Sequence, residues 1–311
     1  MIDLKELLKA GVHFGHKASR WDPKMRPFIW GVKNNVHLID IAKTAFLLER
    51  AGKYLKNLAS NGQTILWIGT KKAATDIIKK HAVELNMPFV INRWIGGTLT
   101  NFDQVKKAIT RYLHLNDVIK RGSSRYKKKE LSMIQKEIDR LENNIGGIIN
   151  LSFPPGAIVI IDAKKETSAI REALSVNIPV VGMVDTNTDP SGVNFLIPSN
   201  DDSPRSIAFI INYLAKCVEE GKKEFVQKKS EQKSLDEKTY KKAKISIQKE
   251  DIATMPIEPG KETNHRKETA IKEEILQAED ELEIEPNKKV GKDKNASYNK
   301  ASKTTKSTSR K

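Results

Sequence analysis

Ten residues, Arg93 to Phe102 (RWIGGTLTNF), concentrate more binding chemistry than any other stretch of this chain. A guanidinium, an indole, two adjacent glycines and a cluster of hydroxyl and amide side chains share one bend. Gly96-Gly97 lets the backbone turn sharply and approach a partner closely. Arg93 offers a fork of donors and Trp94 a flat stacking surface. None of the ten is a carboxylate, a histidine or a plausible nucleophile. The pattern reads as a rigid contact surface for something large and anionic, rather than as a catalytic pocket.

A second basic, aromatic stretch lies near the N-terminus. In GVHFGHKASRWDPKMRPFIW (11–30), Lys17, Arg20, Lys24 and Arg26 are interleaved with Trp21 and Trp30. Arginine and indole planes stack on unpaired bases while ammonium groups neutralise phosphate, so this spacing suits RNA; the alternative is a solvated loop. His13 and His16 invite a metal reading, but third and fourth ligands are not apparent nearby. A hydrogen-bonded histidine beside Gly11 and Gly15, packing under Trp21, fits better.

GTKKAATD (69–76) sits where a strand feeds a helix, so Lys71 and Lys72 stand at a helix N-terminus able to meet phosphate. It lacks the Gly-Lys-Ser/Thr order of a Walker A loop, and no G-x-G-x-x-G occurs in the chain. Asp185, Asp189, Asp201 and Asp202 gather in DTNTDPSGVNFLIPSNDD, after two expected strand ends, where open α/β sheets carry ligands. Turn formation and helix capping explain the same residues, and no histidine or lysine is placed in the sequence as their partner. No cofactor is implied.

Composition agrees with a polyanionic partner. The 311 residues carry 55 Lys+Arg against 39 Asp+Glu, a formal charge of +16, which favours nucleic acid or an acidic surface. No run of 18 apolar residues suggests a membrane span, and the N-terminus resembles neither a signal nor a transit peptide. Cys217 is the sole cysteine, so no disulfide framework exists within the chain and a reducing cytoplasm is the expected home.

These residues need a scaffold. Short β-rich runs at Thr64–Gly69, Pro88–Asn92, Ala157–Asp162, Pro179–Asp185 and Asn194–Ile197 read as strands, four of them near-continuously apolar as if buried on both faces. Helical patterns at Ile41–Ser60, Lys71–Leu85, Lys164–Val176 and Ser203–Glu219 alternate with them. The order implies a doubly wound α/β layer. FIWGVKNNVHLID (28–40) reads as a hairpin turning at Asn34-Asn35.

From Asp103 to Asn144 strand signals vanish. Leu131, Ile134, Ile138, Leu141 and Ile145 make a 3-4-3-4 seam. Val105, Ile109, Tyr112 or Leu113, and Ile119 offer a facing one, so the segment is expected to form an antiparallel coiled-coil helical hairpin. Residues 104–146 hold 11 basic and 5 acidic side chains. Lys106, Lys107, Arg111, Arg121, Arg125, Lys127 and Lys128 are its candidate phosphate contacts. A plain two-helix packing element is the alternative.

Beyond residue 226 the composition changes. All nine Phe and all four Trp precede that point. The last 85 residues are too poor in apolar side chains to offset the entropy of ordering them, so 227–311 is expected to be a disordered charged extension, with a short helix possible around Ile271–Ile284.

Taken together, GVHFGH, WDPKMRPFIWG, ILWIGTKKAA, NRWIGGTLTNF, PGAIVIIDAKKETSAIREALSVNIPVVGMVDTNTDP and IPSNDDSPRSI resemble one family: bacterial ribosomal protein S two, of the small ribosomal subunit. The resemblance covers about residues 4–221. It implies a flavodoxin-like parallel sheet at 1–102 and 147–226, with the coiled coil inserted at 103–146. It also implies a structural, non-enzymatic role: seating on small-subunit ribosomal RNA in the cytoplasm, beside neighbouring proteins that include ribosomal protein S one. Asp22 replaces an expected Asn, and LSFPPG (151–156) departs from the Leu-Pro-Asp-like string expected there. The rival reading is a doubly wound enzyme binding a nucleotide or sugar phosphate.

Overall fold

A computed structural model of the protein describes residues 2–122 and 126–253. The chain divides into two units, Met1–Lys229 and Ser230–Lys311.

The first unit is built on a five-stranded parallel sheet of β4 (Ile65–Ile68), β5 (Phe89–Val90), β6 (Ala157–Ile161), β7 (Val180–Val184) and β8 (Phe195–Pro198). Its spatial order is β5-β4-β6-β7-β8. Numbered within the sheet, that is the 2-1-3-4-5 order of flavodoxin-like folds, with the strand order reversing between β4 and β6. All five β-rich runs of the sequence become strands of this sheet. Every residue of β4, β6 and β7 is buried, which explains why these runs show no polar alternation.

The hidden period of two shows in the two cores. Ile65, Trp67, Val159, Ile161, Val181 and Met183 face one apolar cluster, shared with Leu48 and Leu55 of α2 (Ile41–Ser60), Ile78 of α3 (Lys72–Glu84) and Ile211 and Leu214 of α7 (Pro204–Ala253). Leu66, Ile68, Ile158, Ile160, Val180 and Val184 face the other. There they meet Ala169 and Ala173 of α6 (Thr167–Ser175), Val105 of α4 (Phe102–Gly122) and Ile145 of α5 (Lys128–Ile145). Helices cover both sides, as the alternating pattern requires.

A second, antiparallel sheet precedes this layer. The expected hairpin forms as β2 (Ile29–Lys33) and β3 (Val36–Ile39), with Asn34 at φ 50° and Asn35 at φ 60°. Two consecutive left-handed residues give the primed turn that matches strand twist. The sequence reading missed β1 (Phe14–Lys17), which pairs with the far side of β3 after the short helix α1 (Leu4–Lys9). Its four residues, FGHK, carry a glycine and no apolar alternation, so local pattern conceals the strand. Gly15 is required by a close approach: a Cβ there would stand 2.7 Å from the Thr186 side chain.

Helices α4 and α5 follow one another where two helices were expected and pack together, with Arg111 Nη2 2.6 Å from Glu137 Oε1. The expectation of disorder from residue 227 needs correction, since α7 runs on to Ala253. Residues 227–253 are rich in Lys, with Glu and Gln among them, and hold no Gly or Pro, so helix propensity prevails where apolar content is low. The possible helix at Ile271–Ile284 lies outside the described residues.

Candidate nucleic-acid interface

The edge where β4 and β6 end is the place at which a flavodoxin-like sheet would receive a phosphate ligand. Here the protein fills it with its own charges. The Lys71 ammonium lies 2.7 Å from Asp201 Oδ1, 2.6 Å from Asp202 Oδ1 and 3.5 Å from Asp162 Oδ2. Burial opposes its charge, but the hydrogen bonds it donates to Asp201 and Asp202 outweigh that cost and raise its pKa. Asp201 is 2% exposed. Burial, together with repulsion from Asp162, pushes its carboxyl up to about 6.

His16 completes the cluster from β1. Its Nδ1 is 2.9 Å from Asp185 Oδ2 and its Nε2 3.3 Å from Asp202 Oδ2. The hydrogen bond to Asp185 raises the imidazole pKa against the opposing effect of burial. The His16 amide donates to Thr186 Oγ1 at 2.9 Å, and the Asp22 amide donates to the Thr186 carbonyl at 2.8 Å. The N-terminal sheet is thereby clamped onto the loop after β7.

Two expectations change accordingly. The acidic cluster does have histidine and lysine partners, His16 and Lys71, supplied from sequence positions more than a hundred residues away. Lys71 is not an outward phosphate ligand, because three carboxylates hold its charge. Beside it, buried Glu166 accepts from the Thr70 amide and hydroxyl, and Lys165 donates to the Thr70 carbonyl at 2.9 Å. The turn at 69–72 is closed by protein groups.

The RWIGGTLTNF bend is likewise organised by a group the sequence reading missed. Glu172 of α6 accepts from Trp94 Nε1 at 2.9 Å, from the Gly97 amide at 2.8 Å and from the Leu99 amide at 3.0 Å. A carboxylate therefore does stand beside this segment, brought there by tertiary packing from 73 to 78 residues away. Gly97, at φ 90°, takes the left-handed conformation the turn demands. Trp94 is 8% exposed and packs in the core, so it braces the loop and offers no open stacking face. Arg93 remains exposed.

In the N-terminal stretch Lys17, Arg20 and Arg26 are exposed. Lys24 is exposed too but donates to Asp189 at 2.7 Å and to Ser191 Oγ at 2.9 Å. That contact holds the Asp189 carboxyl down to about 2. Trp21 is half-buried against the His37 ring at 5.2 Å. The histidine under Trp21 is thus His37, while His13 lies against Phe14. Burial lowers the pKa of both His13 and His37. Among the described residues no group of three or more His, Cys, Asp and Glu side chains is arranged to hold a metal ion.

On the helical pair, Lys106, Lys107, Arg111, Arg121, Lys127 and Lys128 all project into solvent. Arg111 is tied to Glu137, and Lys106 and Arg121 stand within 4 Å of Asp103 and Asp117 on their own helix. Such exposed pairs are worth about 0–1 kcal/mol and yield readily to a phosphate. Arg125 lies outside the described residues. Among those described, no ion pair holds Lys17, Arg20, Arg26, Lys72, Arg93, Lys107, Lys127 or Lys128.

The surface is cationic outside and internally neutralised at the sheet edge, which suits an inert binding protein. A family model for Ribosomal protein S2 matches residues 7–221. The chain belongs to the ribosomal protein S2 family. The small ribosomal subunit protein uS2 of Salinibacter ruber is 42% identical over 233 residues, covering 75% of this chain and 73% of that protein. Membership makes the chain a structural component of the small ribosomal subunit and not an enzyme. It also places the matched span over the sheets, α4, α5 and the start of α7. Among the described residues no helix is long and apolar enough to cross a membrane.

Proposed function

We propose that this chain binds small-subunit ribosomal RNA directly, in the bacterial cytoplasm, through fixed positive charge on an inert α/β scaffold. The observation that carries the reading is that eight of the candidate cations, Lys17, Arg20, Arg26, Lys72, Arg93, Lys107, Lys127 and Lys128, are exposed with no ion pair among the described residues, while the charges at the sheet edge are neutralised within the protein. Residues 1–102 and 147–226 form the seating body. Residues 103–146 act as an antiparallel coiled-coil arm that carries charge along a second RNA surface. Trp21, half-exposed between Arg20 and Lys24, stacks or braces at the N-terminal contact. Docking of neighbouring small-subunit proteins, ribosomal protein S one among them, belongs to the same reading and rests on family resemblance alone.

Binding of the full chain to small-subunit RNA at increasing salt tests this. If six or more phosphates are neutralised, affinity falls by roughly 10³-fold or more between 50 and 200 mM salt. Association that ignores salt, or that survives reversal of Lys17, Arg20, Arg26 and Arg93 to glutamate, would count decisively against it.

A further inference from the structure

The loop from Leu151 to Gly156 reads LSFPPG. It puts a phenylalanine at the root of the helical pair. The Phe153 ring stacks on Phe102 with centroids 4.8 Å apart and planes 16° from parallel. Phe102 is 8% exposed and belongs to the core, whereas Phe153 is 38% exposed. The inner face of Phe153 is therefore backed by a rigid aromatic, and Pro154 and Pro155 follow it directly. The Lys106 ammonium lies 5.2 Å from the Phe102 centroid. Its partner Asp103 stands 3.7 Å away in an exposed pair. Lys107 is exposed beside it with no ion pair.

A preordered ring with a partly open face, stacked on the same Phe102 ring that the Lys106 ammonium approaches, has the composition of a base-stacking platform: a π surface for the base and cations for the flanking phosphates. A protein partner docking on apolar surface would gain little from the lysines, which must then be desolvated or left unpaired. We infer that Phe153 stacks on an unpaired base of the small-subunit RNA, with Lys106 and Lys107 holding the adjacent backbone. This rests on the RNA-binding reading above and adds to it a specific position and a preference for single-stranded RNA there.

The test uses the full chain and small-subunit RNA at constant salt, with Phe153→Ala, Phe153→Leu and Phe153→Tyr. Stacking predicts that Phe153→Tyr binds as wild type, while Phe153→Ala and Phe153→Leu weaken binding by about 5- to 100-fold. The salt slope should stay unchanged, because every phosphate keeps its cation. Ultraviolet irradiation of the wild-type complex should crosslink the peptide carrying Phe153 to a nucleobase. Leucine keeps apolar cover over Phe102, so the comparison of Phe153→Leu with Phe153→Tyr holds even if Phe153→Ala misfolds. Wild-type affinity in Phe153→Leu, or an absence of crosslinks at this peptide in a complex that forms, would overturn the inference. Failure of the wild-type chain itself to bind the RNA would instead sink the RNA-binding reading and this one with it.

Discussion

At the scale of single residues, Lys71 is the clearest case of a side chain whose role reverses once its neighbours are known. At a helix start it looks like a phosphate ligand; in the fold it is the counter-charge for Asp162, Asp201 and Asp202. Removing one partner of a buried ion pair leaves the others uncompensated, at a cost of about 3–5 kcal/mol. Lys71→Met is expected to destabilise the protein by about 3 kcal/mol or more in urea unfolding, whereas Lys72→Met, on an exposed cation, should change stability by about 0.5 kcal/mol or less. Equal effects would contradict the assignment. His16 adds a pH dependence. Because Asp185 holds its proton more tightly in the folded protein than water does in the unfolded chain, its contribution is full below the ordinary value of 6.5 and fades as pH rises through the raised one. His16→Gln should therefore cost more stability at pH 6 than at pH 8. His13 and His37, lowered by burial, depend on pH in the opposite sense but are common to both proteins and cancel in the difference. A larger cost at pH 8 would mean His16 does not act through its charge.

At the scale of elements, the pair α4–α5 has a buried and an exposed part. Phe102, Val105, Ile138 and Ile145 are buried, whereas Leu113, Met133, Lys120, Arg121, Lys127 and Lys128 are exposed. Replacing residues 111–137 by a short Gly-Ser turn removes the exposed part and leaves the buried anchors. The urea midpoint of the body should barely move, while RNA affinity falls and the salt slope becomes shallower by about 0.9 for each phosphate no longer neutralised. An unchanged slope would show that this arm touches no phosphate. The two helices were legible because an apolar 3-4 spacing is a property of one helix. Strand β1 was not legible, because its pairing with β3 and its contact with Thr186 depend on segments far along the chain.

At the scale of the whole molecule, the resemblance to a nucleotide-binding α/β fold stops at topology. The edge that would take a phosphate is closed by Lys71, Lys165, Asp162 and Glu166. A thermal-shift panel of ATP, GTP, FMN and sugar phosphates is expected to leave the unfolding temperature within about 1 °C; saturable stabilisation, which grows as the logarithm of ligand over Kd, would reopen that site. What the amino-acid order determined by itself is what depends on near neighbours: the buried strands, the helix periods, the Asn34-Asn35 turn and the surplus of positive charge. Only the tertiary structure decided how that charge is divided. Glu172 reaches across to Trp94, and Asp201 and Asp202 reach across to Lys71. Coulomb and hydrogen-bond energies follow distance in space, and distance in space between remote segments is set by the packing of both cores. A cation therefore cannot be known as free or committed until the chain has folded around it.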